Sequence, residues 1–116
     1  MVFTEKLREI QTPCYYYNIE LLKKTLEKIN TESGKYPAFH VHYAVKANAN
    51  PVLLQIISSY GIGADCVSSN EIQRALECGF PADKIVYAGV GKSDAEIEIA
   101  LQNDIFCFNS ESLPEI

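Results

Sequence analysis

Lys46 is the residue whose type and position point most directly to covalent chemistry. It ends a short apolar run in the segment HYAVKANAN (residues 42–50), and turn-forming residues follow at once. A lysine amine in a partly desolvated pocket has a lowered pKa and forms Schiff bases with carbonyl compounds. The alternative is a solvated lysine that ends a strand and forms a salt bridge. Which role applies depends on the elements that position Lys46.

The segment 40–46 is predicted to be a strand, whose side chains alternate between two faces. One face carries His40, His42, Ala44 and Lys46, and the other carries Val41, Tyr43 and Val45. If the second set packs under helices, Lys46 points into the mouth of a barrel. Ala44 lies beneath Lys46 and leaves space that a larger side chain would fill. His40 and His42 have metal-ligand spacing, but no third ligand is evident, so we expect buried structural histidines.

Strands and helices alternate along the chain. The predicted strands cover residues 40–46, 63–67, 84–89 and 105–109. The predicted helices cover residues 19–30, 50–61, 68–79 and 93–104, and a further helix begins within 110–116. Strand starts recur about every 20 residues, with a helix between each pair. This repeat predicts a parallel sheet with right-handed crossovers.

Polar residues mark the starts of the predicted helices. Asn18 is placed as the N-cap of the first helix. Ser68 and Glu71, and again Ser93 and Glu96, have the spacing of capping boxes.

Two architectures fit this repeat: an open doubly wound sheet, or part of a (β/α)8 barrel. A barrel needs about 250 residues, so this chain of 116 residues would be only its first half. In both architectures, ligands bind at the carboxyl ends of the parallel strands. The segments at those ends are 46–48, 65–69, 89–92 and 109–110.

Lys46 and Asp65 lie toward the carboxyl ends of adjacent predicted strands and therefore face the same rim. Asp65 is placed to hold a Schiff-base nitrogen, or an incoming substrate, by a charge-assisted hydrogen bond. The alternative is a salt bridge between Asp65 and a solvated Lys46. On the same rim, GVGKS (residues 89–93) lacks the first glycine of a phosphate-binding P-loop. Its glycines are interpreted as places where the backbone approaches a neighbour closely.

Composition and charge exclude several classes of function. The net charge of −5 and the absence of a basic cluster argue against nucleic acid as a partner. No apolar segment approaches the roughly 20 residues that span a bilayer, and MVFTEKLREI has charges where a signal peptide is apolar. We therefore expect a cytoplasmic protein without a membrane partner. The four cysteines form no C-x-x-C pair, so we expect small buried residues, with neither disulfides nor a zinc site.

Five segments of the sequence carry a resemblance to a known family. They are TPCYYYN, HYAVKANANPVLLQII, GIGADCVSSNEIQRALECGFP, KIVYAGVGKSDAEIEIAL and IFCFNSESLPEI. In order and spacing they resemble the opening part of the barrel domain of fold-type III, pyridoxal-phosphate-dependent decarboxylases of basic amino acids. Among the members of that family, the segments look most like those that convert meso-2,6-diaminopimelate to L-lysine and carbon dioxide.

The resemblance implies roles for three residues. Lys46 matches the lysine that holds pyridoxal 5'-phosphate covalently. Ala44 matches a small residue that lines the cofactor pocket, and Asp65 matches a carboxylate near the Schiff base. The resemblance also implies a small amino-acid substrate, and a homodimer whose active site is completed by residues further along the chain.

Two departures from the family pattern concern the rim and the length. Ser69 and Asn70 stand where the family usually has two glycines, which could crowd the rim. Residues 1–116 are expected to be a single partial domain, the N-terminal portion of the pyridoxal-phosphate-binding barrel. The remainder of the barrel, with its phosphate-binding segment, and a C-terminal β-domain would lie outside it. By itself such a piece is expected to bind the cofactor weakly and not to turn over.

Alternatives remain open at this point. The same barrel serves decarboxylases of ornithine, arginine or carboxynorspermidine, and also racemases. A non-catalytic barrel that binds the cofactor or a partner is a third possibility from a different class.

Overall fold

The computed structural model describes residues 2–116 as a four-stranded parallel sheet whose strands alternate with helices. The strands are β1 (His42–Ala44), β2 (Gly63–Cys66), β3 (Ile85–Tyr87) and β4 (Cys107–Phe108). The α-helices are α1 (Val2–Glu9), α2 (Ile19–Ser33), α3 (Pro51–Ser59), α4 (Ser69–Glu77) and α5 (Asp94–Gln102). Single 3-10 turns cover Val45–Ala47, Ala82–Lys84 and Leu113–Glu115.

The strand order decides between the two predicted architectures. The sheet runs β1-β2-β3-β4, so each strand pairs in parallel with the next one along the chain. A doubly wound sheet reverses its strand order at a switch point, whereas a barrel keeps the sequential order. The fold is therefore the opening part of a (β/α)8 barrel, as predicted. Within residues 2–116, β1 and β4 are paired on one side only.

One face of the sheet is completely buried under helices. Ala64, Cys66, Ile85 and Tyr87 have none of their surface exposed. The helix side chains buried to the same degree in the same cluster are Leu54, Ile72, Ala75 and Ala100. Each large side chain removed from water in this way contributes about 2 kcal/mol to folding. This alternation of buried residues along β2 and β3 fixes which face of each strand is turned to the helices.

The opposite face of the sheet carries the residues that matter for the site. In the register of the sheet, His42 pairs with Gly63 and Ala44 with Asp65. Asp65 in turn pairs with Val86. Directly paired residues of parallel strands have their side chains on the same face, and in a closed barrel this face is the interior. Asp65 and Val86 are half-buried.

The first strand is shorter than predicted. The sequence predicts a strand over residues 40–46, but β1 ends at Ala44 and the backbone tightens into the 3-10 turn Val45–Ala47. The Tyr43 hydroxyl donates a hydrogen bond to the Asn48 carbonyl at 3.0 Å. Side-chain bonds of this kind compete with continued strand pairing. Lys46 therefore lies in a turn just beyond the strand.

The helices differ from the prediction at both ends of the chain. The helix α1 was not predicted, and α2 continues to Ser33 instead of ending at residue 30. Asn18 caps α2 as predicted, because its side chain accepts a hydrogen bond from the Leu21 N–H at 3.0 Å. The helix predicted within 110–116 is a single 3-10 turn. In the part of the chain that the structure describes, no helix is long and apolar enough to cross a membrane.

The cysteines follow the prediction only in part. Cys66 and Cys78 are buried, Cys107 is partly buried and Cys14 is exposed. The prediction is wrong for Cys14, because the irregular stretch that precedes α2 lies outside the core. Burial raises the pKa of the Cys66 thiol to about 12, so this thiol stays protonated and unreactive.

Gly63 is required by the close approach of β1 and β3 to β2. A Cβ at this position would lie 2.6 Å from the Lys84 carbonyl oxygen and 2.5 Å from Cδ2 of His42. His42 is half-buried against this glycine, whereas His40 is exposed. The prediction of buried structural histidines is therefore wrong for His40, which precedes the sheet.

We predict that Gly63→Ala lowers the free energy of unfolding by about 1–3 kcal/mol, because the backbone of β3 must move away. Gly91→Ala is the matched control, since a Cβ at Gly91 would meet nothing within 4 Å. Urea denaturation of the purified protein measures both changes. Equal stability of the two variants would contradict the close approach of β3 to Gly63.

Candidate active site at the carboxyl ends of the strands

The structure brings the three predicted site residues to one edge of the sheet. Ala44 and Asp65 are direct partners in the pairing of β1 with β2, so they lie side by side on the interior face. Lys46 lies two residues after Ala44, in the 3-10 turn Val45–Ala47, and its side chain is exposed. Ala44 contributes only a methyl group beside Asp65.

Asp65 has an unsatisfied hydrogen-bonding requirement. Its Oδ1 atom is buried and has no hydrogen-bond partner among residues 2–116. No salt bridge joins it to Lys46 within the same residues, so the simple ion pair considered above is not formed. A buried carboxylate oxygen without a partner is costly, and a donor on a bound group would remove that cost. Asp65 therefore fits a ligand that donates a hydrogen bond, such as a protonated nitrogen.

The turn that carries Lys46 is held on both sides. Val45 is completely buried, and the Tyr43 hydroxyl donates to the Asn48 carbonyl. Burial raises the pKa of Tyr43, against the opposing effect of this hydrogen bond, so the hydroxyl stays a donor. The Asn48 amide donates to the Tyr17 hydroxyl at 2.9 Å, and its Oδ1 accepts from the Asn50 N–H at 3.0 Å. Lys46 therefore extends from a fixed backbone.

Sequence reasoning missed the contributions of Tyr17 and Asn48. Both lie in segments that carried the resemblance, but the contact between them spans 31 positions of the sequence. No local pattern reports a contact of that kind, and only the fold brings the two residues together.

The start of α4 departs slightly from the predicted capping box. The Ser68 hydroxyl accepts a hydrogen bond from the Glu71 N–H at 3.2 Å, as predicted. The Glu71 carboxylate, however, accepts from the Val67 N–H at 2.7 Å and not from the N–H of Ser68. The carboxylate still occupies the positive end of the helix dipole.

Glu96 joins the starts of α4 and α5. Its Oε2 accepts from the N–H and the hydroxyl of Ser93, both at 3.2 Å, which confirms the predicted capping box. Its Oε1 accepts from the N–H of Ser69 at 3.3 Å and from the Ser69 hydroxyl at 3.4 Å. The hydroxyl of Ser69 is thus used in a bond between two helices. Hydrogen bonds from the backbone of Ser93, and next from that of Ser69, lower the pKa of Glu96.

These internal carboxylates limit what the rim can bind. Helix N-termini are natural sites for phosphate and other anions. Those of α4 and α5 already hold Glu71 and Glu96. The N-termini of these two helices are therefore not open to an anion. The groups that this chain offers to a ligand are the amine of Lys46 and the unpaired carboxylate oxygen of Asp65.

The residues at the rim suit an organic ligand better than a metal ion. Across the residues that the structure describes, no three histidine, cysteine, aspartate or glutamate side chains are grouped as metal ligands. A primary amine forms Schiff bases with carbonyl compounds, and a carboxylate accepts hydrogen bonds from a protonated nitrogen. Fold and residues together define the opening part of a barrel with a candidate site at the carboxyl ends of its strands.

Comparison with known proteins agrees with this class. Residues 22–116 match the family described as pyridoxal-dependent decarboxylase, pyridoxal binding domain, and the chain belongs to this family. The cofactor of that family, a pyridoxal compound, is the kind of cofactor predicted from the sequence.

Relatives and solved structures support the same assignment. The chain is 59% identical to diaminopimelate decarboxylase of Bacteroides thetaiotaomicron over 112 residues. These residues make up 97% of this chain and 29% of that protein. It superimposes on the crystal structure of diaminopimelate decarboxylase from Helicobacter pylori complexed with L-lysine with a TM-score of 0.88 and 40% identity, over 97% of this chain and 28% of the other. The arginine decarboxylase of Paramecium bursaria Chlorella virus gives a TM-score of 0.69 and 28% identity, over 80% of this chain and 25% of the other. The chain spans 24% to 29% of the length of the curated relatives it matches.

We predict that Glu96→Ala lowers the free energy of unfolding at pH 7 by about 1–2 kcal/mol, because two helix starts lose an acceptor. The folded-state pKa of Glu96 is lowered, so its contribution is present above the ordinary pKa. It is lost as the pH falls through the folded-state pKa. The difference between parent and variant should therefore shrink in acid.

Glu98→Ala is the control, because Glu98 is an exposed carboxylate on the same helix. Urea denaturation at several pH values measures both variants. If the two lost equal stability, or if the loss at Glu96 did not depend on pH, the bridge between the helices would be refuted.

Proposed function

We propose that the full-length protein containing this chain decarboxylates meso-2,6-diaminopimelate to L-lysine and carbon dioxide, the last step of lysine biosynthesis. The observation that carries the proposal is the 59% identity to a diaminopimelate decarboxylase over 97% of the chain. The structural likeness to a relative of the same name complexed with L-lysine supports it. The likeness to an arginine decarboxylase is weaker in both identity and coverage.

Each site residue has a distinct task in this proposal. The Nζ of Lys46, an exposed amine in the turn after β1, binds pyridoxal 5'-phosphate covalently, because Lys46 matches the lysine that holds the cofactor in the family. Ala44 leaves room beside it for the cofactor. The unpartnered Oδ1 of Asp65 accepts a hydrogen bond from a protonated nitrogen and keeps that nitrogen charged.

The cofactor, when bound, supplies an electron sink for the pair of electrons left behind as carbon dioxide departs. The chain itself positions the Lys46 amine, and the small side chain of Ala44 leaves room for the cofactor. The residues that bind the phosphate and the substrate carboxylates belong to the part of the protein beyond this chain. The cytoplasmic location and the homodimer predicted from the sequence belong to the same proposal.

We predict that the full-length protein releases carbon dioxide from meso-diaminopimelate with a higher kcat/KM than from ornithine or arginine. Lys46→Ala should abolish the release, because the cofactor loses its covalent attachment. Lys35→Ala is the matched control, since Lys35 forms an exposed pair with Glu32 away from the rim. The 116-residue chain alone should bind the cofactor weakly and release no carbon dioxide.

The results of these assays distinguish the proposed function from the alternative hypotheses. Preferred release from ornithine or arginine would replace the substrate and keep the reaction. If none of the three amino acids released carbon dioxide, a non-catalytic barrel would become the better description.

A further inference from the structure

Lys92 is a buried cation at the rim to which the proposed function gives no task. Its side chain is only 1% exposed, and lysine is almost never buried to this degree without partners. Its ammonium donates to the Gly89 carbonyl at 2.7 Å, the Asn109 carbonyl at 2.9 Å and Oε2 of Glu115 at 3.3 Å. A lysine ammonium has three N–H donors, so all of them are used. Lys92 is therefore not available to bind a phosphate group.

The partners of Lys92 lie where the backbone pairing of the sheet ends. The last bond between β3 and the β4 side runs from the Asn109 N–H to the Tyr87 carbonyl at 2.9 Å. Gly89 and Asn109 lie in the loops that follow β3 and β4. The ammonium of Lys92 donates to both of their carbonyls and so links the two loops. It also lies 5.4 Å from the centroid of the Tyr87 ring, within the range of a cation–π contact. Lys92 thus extends the connection between β3 and β4 beyond the strands.

The link continues into the last segment of the chain. Oε2 of Glu115, which accepts from Lys92, also accepts from the Glu111 N–H at 2.8 Å. Glu115 is itself largely buried, with 12% of its side chain exposed. The Lys92 ammonium, through its ion pair with Glu115 and its bond to the Asn109 carbonyl, therefore joins three segments. They are the loop after β3, the loop after β4 and the 3-10 turn Leu113–Glu115.

The segment after β3 is bonded to the end of the strand that presents Asp65. The Ala88 N–H donates to the Cys66 carbonyl at 2.8 Å, and Cys66 directly follows Asp65. Gly89, whose carbonyl accepts from Lys92, is the next residue and has a positive φ of 103°. A shift of Gly89 would therefore be transmitted through Ala88 to the backbone that presents the Asp65 carboxylate.

We propose that Lys92 is a positioning residue, which holds the loops after β3 and β4 in the conformation that walls the cofactor site beside Asp65. It touches neither the cofactor nor the substrate. This inference rests on the proposed function, because it assigns Lys92 to the same site. A lysine that only stabilised the fold would change the melting temperature without changing the affinity for the cofactor.

The test uses full-length Lys92→Met, which keeps the apolar stem and removes the ammonium. Lys84→Met is the matched control, since the Lys84 ammonium also donates to a carbonyl, that of Gly61 at 3.0 Å, but at the amino end of the strands. We expect Lys92→Met to raise the Kd for pyridoxal 5'-phosphate about tenfold, with kcat at saturating cofactor within about twofold of the parent. Lys84→Met should leave both unchanged. Equal cofactor affinity of the two variants would overturn the proposal.

A second variant covers the case in which Lys92→Met does not fold. Glu115→Gln removes the counter-charge but leaves the two carbonyl contacts of Lys92 in place. A smaller loss of cofactor affinity in the same direction is expected, and an unchanged affinity would overturn the proposal. Amide hydrogen exchange of the cofactor-free protein should be faster in residues 89–92 and 109–111 of the Lys92 or Glu115 variant than of the control.

The failure of this inference can be told from that of the proposed function. A parent protein that binds pyridoxal 5'-phosphate but releases no carbon dioxide overturns only the proposed function, and the affinities of the variants still judge Lys92. A parent that binds no cofactor overturns both.

Discussion

The in-register parallel pairing of β1 with β2 is the constraint on which the rest of the structure depends. It sets Ala44 beside Asp65 on the interior face and places Lys46 at the same edge of the sheet. Side chains alternate with a period of two, so a slip of one residue would turn Asp65 toward the helices. Gly63 makes this register possible, because the His42 ring and the backbone of β3 lie where any larger side chain would be.

The charged groups around the rim are for the most part used by the fold itself. Glu71 and Glu96 bind helix N-termini, and Lys92 has three oxygen partners. In the described part of the chain, Lys46 forms no ion pair and Asp65 Oδ1 has no partner. The Tyr87 hydroxyl is also buried without a partner, but it lies in the core under the helices. The groups left for a ligand are therefore the amine and the carboxylate.

Local signals in the sequence predicted the features that depend on neighbouring residues. Asn18 and Ser93 mark helix starts because their side chains accept bonds from N–H groups three residues away. The strand rhythm predicted the parallel sheet and the shared rim of Lys46 and Asp65. The early end of β1 was missed, because the pattern of the strand does not show the bond from the Tyr43 hydroxyl to the Asn48 carbonyl in the turn that follows.

The features that escaped prediction depend on contacts between distant parts of the chain. The bond from Ser69 to Glu96 spans 27 positions and that from Lys92 to Glu115 spans 23. The sequence indicated a crowded rim at Ser69, whereas the fold gives its hydroxyl a partner on another helix. GVGKS was interpreted through its glycines, and the role of its lysine became visible only once the loops after β3 and β4 were in place.

The most direct test of the central claim is the site of covalent attachment of the cofactor. The full-length protein is loaded with pyridoxal 5'-phosphate, reduced with borohydride and digested, and the modified peptide is mapped. A single label is expected on Lys46, with Lys92 unmodified because its ammonium is buried and fully bonded. A label on any lysine other than Lys46 would contradict the claim.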